Sequence, residues 1–111
     1  MISELRIDIV RFVDERFPGF VECLFTGADG KDHVLIDKAL MFTEKDLWID
    51  SQYPEPGHLR CQILSRSKNV AGEELVRITI ARPDGLETVE SLTEFEVLAE
   101  LVSDDIAATQ S

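Results

Sequence analysis

Two stretches of period two, joined by a short glycine-containing segment, constrain this chain more than any other feature in it. From Phe20 to Thr26 and from Asp32 to Lys38 apolar residues tend to alternate with polar ones, with Gly27-Ala28-Asp29-Gly30-Lys31 between them. Alternation puts successive side chains on opposite faces of a strand, and Asp-Gly supplies the backbone freedom that a tight antiparallel turn demands. The pair reads as a β-hairpin, with Val21, Cys23 and Phe25 on one face and Val34 and Ile36 on the same face of the partner strand. Two more strands are expected at Leu59 to Arg66 and Leu75 to Arg82, joined by the turn-rich stretch from Ser67 to Gly72. Leu59, Cys61 and Ile63 would point inward, as would Val76, Ile78 and Ile80. Four strands in two hairpins favour an antiparallel sheet.

The flanking segments carry a different period. Ile2, Leu5, Ile9, Phe12, Val13 and Phe17 recur at spacings of three and four, which predicts a helix with one apolar stripe. Ser3 would cap it, Glu4 would suit its first turn, and Pro18-Gly19 would end it. Arg6 falls near the edge of the stripe and Ile7 points away from it. Residues 39 to 58 hold one expected helical turn, capped by Thr43 with Asp46 three residues on, and then the loop Tyr53-Pro54-Glu55-Pro56-Gly57. Near the end, Glu94 to Val97 alternates like a strand, while Leu92, Phe95, Leu98, Ala99 and Val102 also form a helical stripe behind a Ser91-x-x-Glu94 capping box. A fifth strand over 94 to 98 is preferred, because it would help close the sheet and cover an edge. The expected fold class is α+β and mainly β. It has about five antiparallel strands in a curled sheet or small barrel, with one N-terminal amphipathic helix. Residues 1–102 read as a single compact domain and 103–111 as a frayed polar tail.

At 111 residues and 44% apolar content, the chain can bury a core without disulfides or metals. The longest apolar run, Ala39 to Phe42, is far short of a membrane span, and the start lacks a basic leader, so a cytoplasmic location is expected. Cys23 and Cys61 show neither the count nor the spacing of a disulfide framework and read as reduced core thiols. His58 and Cys61 come nearest to a metal or nucleophile pair, with His33 and Asp37 as company. Zinc needs three or four converging ligands, and residues three apart on a strand face opposite ways. His33 and Asp37 share a face but lie about 13 Å apart on a straight strand. Asp29 and Asp32 lack the oxygen spacing of a calcium loop, and the glycines form no phosphate cradle. No catalytic residue, metal or cofactor is expected on these grounds.

Charge is the remaining signal. The chain carries a net charge of −11, and all eleven lysines and arginines lie at or before Arg82. The final stretch from Pro83 holds Asp84, Glu87, Glu90, Glu94, Glu96, Glu100, Asp104 and Asp105 without one cation. Such a field attracts cationic surfaces and repels nucleic-acid backbones. Arg60, Arg66 and Arg77 project outward in a small stripe that reads as internal charge balance. A second signal is the segment from Asp46 to Glu55, where Trp48 and Tyr53 stand beside Asp46, Asp50 and Glu55. Aromatics supply binding anchors and interleaved carboxylates select a basic partner, whereas a structural Trp48 would cover the core and Tyr53 would buttress the proline turn. The functional expectation is a non-enzymatic module that docks a basic protein through Asp46, Trp48, Asp50, Tyr53, Glu55, Glu87, Glu90, Glu94, Glu96 and Glu100. Its charge logic matches, as an analogy of class alone, the immunity proteins that neutralise basic nuclease toxins. The rival expectation is a small-ligand or enzymatic pocket in the curled sheet, involving His58 or Asp37.

Overall fold

The structure, a computed structural model, describes residues 2–16 and 19–103. Seven strands run β1 (Ser3–Asp14), β2 (Phe20–Thr26), β3 (Asp32–Lys38), β4 (Glu55–Lys68), β5 (Glu74–Thr79), β6 (Glu94–Leu98) and β7 (Val102–Ser103). They form one curled antiparallel sheet, a half-barrel, in the order β3-β2-β1-β4-β5-β6, with β7 also pairing β1. Among the described residues the helical content is two 3-10 turns, Ala39–Met41 and Ala99–Leu101. None of it is a helix long and apolar enough to cross a membrane.

The expected N-terminal helix is therefore a strand, and the misfit Ile7 shows why. Leu5, Ile7 and Ile9 are buried in strict alternation, while Arg6 and Asp8 between them are exposed. Ser3, expected as a cap, is buried opposite Cys61 of β4. Against β2 the register of β1 slips between Ile9 and Arg11 and again between Phe12 and Asp14. Each slip is a bulge that adds a residue to one strand, so apolar positions two apart become three apart. Ile9 and Phe12 thus acquire a helical spacing from a bulged strand. Phe17 and Pro18, the expected end of the helix, lie outside the described residues, as do residues 104–111 of the expected tail. Ser103, the start of that tail, lies in β7 opposite Glu4.

The β2–β3 hairpin forms over the expected residues with its pairing fixed at Thr26↔Asp32. That turn sets Cys23 against Leu35 and Phe25 against His33, and directly opposed residues share a face. His33 and Leu35 are accordingly buried, whereas Val34 is half-buried and Ile36 exposed, which reverses the expected face of β3. A one-residue change of register exchanges the faces of a whole strand. The inward sides of β4 and β5 match expectation at Leu59, Cys61, Val76 and Ile78, Ile80 is buried just past the end of β5, and Ile63 is only half-buried. β4 pairs with β1 through Cys61 and with β5 from Gln62 onward, and its register against β5 slips between Ile63 and Ser65. The 94–98 segment is a strand, with Phe95 and Val97 buried and Glu94 and Glu96 outward. Phe95 closes the core against Phe25: the two rings meet edge to face at 5.1 Å.

After β6 the 3-10 turn Ala99–Leu101 carries the chain to β7, on the edge of β1 that β2 occupies further along. Two single hydrogen bonds join the open sides of the curl. The Ala28 N–H donates to the Glu96 carbonyl at 2.8 Å, and the Val89 N–H donates to the Val34 carbonyl at 2.9 Å. At the other end, the segment after β3 is pinned to β4, where the His58 N–H donates to the Phe42 carbonyl at 2.8 Å. A Cβ on Gly57 would come within 2.7 Å of that oxygen, so glycine is what allows the close approach.

Candidate functional site

The segment from Ala39 to Tyr53 leaves the sheet and returns, and its local bonds decide which side chains stay outside. The 3-10 turn at Ala39–Met41 buries Ala39 and Phe42 and leaves Leu40 72% exposed. Thr43 does not open the expected helical turn; its Oγ1 accepts the Lys45 N–H at 3.1 Å in a side-chain turn. Further on, the Trp48 N–H donates to Ser51 Oγ at 3.0 Å, and the Trp48 carbonyl accepts the Ser51 N–H at 3.1 Å and the Tyr53 hydroxyl at 2.6 Å. Tyr53 is half-buried against the core, as a proline-turn buttress would be. Its hydroxyl fastens the backbone of Trp48, and the indole is left 63% exposed with Ile49 at 57%.

Beneath these side chains lies a groove of about 400 Å³ between the end of β1 and the 39–49 segment. Phe12 and Leu47, both half-buried, form its floor, and Leu40, Trp48 and Ile49 form its apolar wall. Gly19 shapes the end of it. Its φ of +89° suits glycine, the Phe12 ring lies 2.9 Å from where a Cβ would stand, and its carbonyl accepts the Ala39 N–H at 3.0 Å. Glu15 and Asp46 line the groove with one cation, Lys45, whose ammonium is 2.7 Å from Glu55. Asp50 is exposed two residues beyond the indole.

Of the ten expected docking residues, the structure brings Asp46, Trp48, Asp50, Tyr53 and Glu55 to this one segment. It does not bring the other five to it. Glu96 meets the β2–β3 turn through Ala28, at the end of β2 opposite Gly19, and the seven residues of β2 span about 20 Å. Glu94 pairs with Arg77 at 3.4 Å, and Glu96 stands opposite Arg77 in the ladder. The Glu100 carbonyl accepts a bond from Arg6 at 3.3 Å, while Glu87 and Glu90 are exposed between β5 and β6. Asp84 is paired with Arg60. An acid run that meets no cation along the chain is thus set in space against cations from β4 and β5. Leu40, Ile49, Phe12, Glu15 and Lys45 belong to the groove and were not singled out from the sequence. The only signal of Leu40 and Ile49 is apolar character beside acids, Glu15 and Lys45 carry none, and Phe12 belongs to the helical stripe.

Of the residues named for the rival pocket, His58 lines a neighbouring groove of about 530 Å³ together with Glu4, Glu55, Arg60 and Asp84, without meeting Cys61. His58 is exposed and Cys61 buried on opposite faces of β4. Asp37 Oδ1 accepts the neighbouring Lys38 N–H at 2.7 Å. His33, expected at the solvated hairpin, is instead packed between Phe95 at 4.5 Å and Phe25 at 5.2 Å, and its buried Nδ1 has no hydrogen-bond partner among the described residues. No three histidine, cysteine or acidic side chains converge as a metal set among the described residues. Burial pushes both thiols up to about 12, with Glu22 and Asp37 adding to the effect at Cys23 and Glu4 at Cys61. No family model, curated protein or solved structure matches the chain.

Proposed function

We propose that the protein is a non-enzymatic binding module whose Trp48 groove docks a cationic segment of another protein. The observation that carries this reading is an indole left in solvent by a backbone that three hydrogen bonds hold in place. A large aromatic presented from a fixed backbone gives contact area at reduced entropic cost, which is the property of an interface anchor. The rim supplies the selectivity: Glu15 and Asp46 line the groove and Asp50 flanks it, so a basic segment with one apolar anchor complements it and a second copy of the same patch would be repelled. Glu87, Glu90, Glu94, Glu96 and Glu100 lie outside the groove and act at longer range, by raising the approach rate of a cationic partner in a chain of net charge −11. An inhibitor that neutralises a basic toxin is one member of this class. A reducing cytoplasmic setting accords with two buried free thiols, and the charge balance disfavours nucleic acid as the partner.

Affinity capture from the protein's own cells with paired baits tests the reading. A basic protein held by the natural chain should be lost with Trp48→Ala and with the double change Asp46→Lys, Asp50→Lys. It should be retained, with slower association, when Glu87 and Glu90 are changed to glutamine. A partner held equally by all three baits would place the interface elsewhere.

A further inference from the structure

Lys45 lines the Trp48 groove and also the neighbouring groove that contains Glu55, so it stands on the ridge between them. It is the one cation among the described residues that line the Trp48 groove, and its ammonium is held by Glu55 at 2.7 Å. Glu55 is anchored: it lies at the start of β4, opposite Ile9 of β1, with its side chain only 18% exposed, against 68% for Lys45. A fixed carboxylate therefore captures a mobile ammonium. A pair whose ammonium is largely in solvent contributes little to stability, so its consequence is positional. Glu55 lines the neighbouring groove and not this one, so with its ammonium held there Lys45 turns its charge away from Asp46 and Glu15 while its stem still lines the Trp48 groove. With Lys45 released, its long side chain can reach the Asp46 side and cancel that charge.

From this we infer that Glu55 is the residue that fixes the sign of the Trp48 groove, and so selects cationic over anionic docking segments, by holding the Lys45 ammonium toward the neighbouring groove. The inference rests on the docking reading of the groove. It is tested without a partner, because Trp48 is the only tryptophan and reports the ions around it. Caesium and iodide quench indole fluorescence by contact, and their relative efficiency follows the local potential; neutral acrylamide reports exposure alone. All are measured at constant ionic strength on the natural chain, Glu55→Gln, Lys45→Gln and the double variant.

Acrylamide quenching should be the same in all four, which also shows that the loop is intact. Caesium should outperform iodide in the natural chain. Glu55→Gln should lower the caesium-to-iodide ratio by about twofold, the effect of one charge brought near the indole across water. In the Lys45→Gln background the same change should lower it much less, because no cation is then released. Equal effects of Glu55→Gln with and without Lys45 would mean that Glu55 acts by its own charge, and would overturn the inference alone. Iodide matching caesium in the natural chain would instead overturn the acidic-groove reading on which it rests.

Discussion

Cys23 and Cys61 are wholly buried on the inner faces of β2 and β4, and neither can lose its proton there without placing a thiolate among apolar side chains. Burial raises both from the ordinary 9.0 to about 12. In the unfolded chain the thiols ionise from about pH 9 upward, whereas in the folded chain they keep their protons until about pH 12. Above pH 9 the unfolded state therefore binds fewer protons, and stability falls as pH rises through this window. Chemical denaturation should show full stability from this source at pH 8 and a progressive loss by pH 10 to 11, reduced by replacing both cysteines with alanine. Native thiols should also resist a bulky alkylating reagent at pH 8 and react once the chain is denatured. Rapid native labelling would contradict their placement.

At the scale of elements, β1 is where sequence and structure part. Ile7 decides the matter because it is a misfit in the helical stripe and a core residue in the strand, only 4% exposed. Ile7→Ala should destabilise the protein by about 2–4 kcal/mol in urea denaturation, as buried isoleucine truncations do. On an exposed helix face the change would stay within about 0.5 kcal/mol. The β2–β3 hairpin, the inner faces of β4 and β5 and the strand at 94 to 98 were legible because unbroken alternation and turn residues are local signals. Bulges were not, since one added residue turns a period of two into a spacing of three at Ile9 and Phe12. The face of β3 was missed because it depends on how the turn pairs Thr26 with Asp32, a choice that Val34 and Ile36 do not reveal. Trp48 and its acids were visible as a cluster, but the exposure of the indole depends on the Ser51 and Tyr53 bonds, which composition does not contain.

For the whole molecule, charge along the chain and charge in space are different quantities. The last quarter is acidic without interruption, yet folding sets Arg77 against Glu94 and Arg60 against Asp84. On the docking reading proposed above, the net charge of −11 acts as a diffuse field that steers a cationic partner, and local selection falls to the Trp48 groove with Glu15 and Asp46 on its lining. The most direct test of that assignment needs no knowledge of the partner. Random peptides displayed on phage are selected against the natural protein, with Trp48→Ala as the counter-target. The account predicts enriched sequences with one bulky apolar residue flanked by lysine or arginine, which lose binding to Trp48→Ala and weaken as salt is raised. Enriched peptides that are neutral or acidic, or that bind Trp48→Ala as tightly as the natural chain, would contradict it.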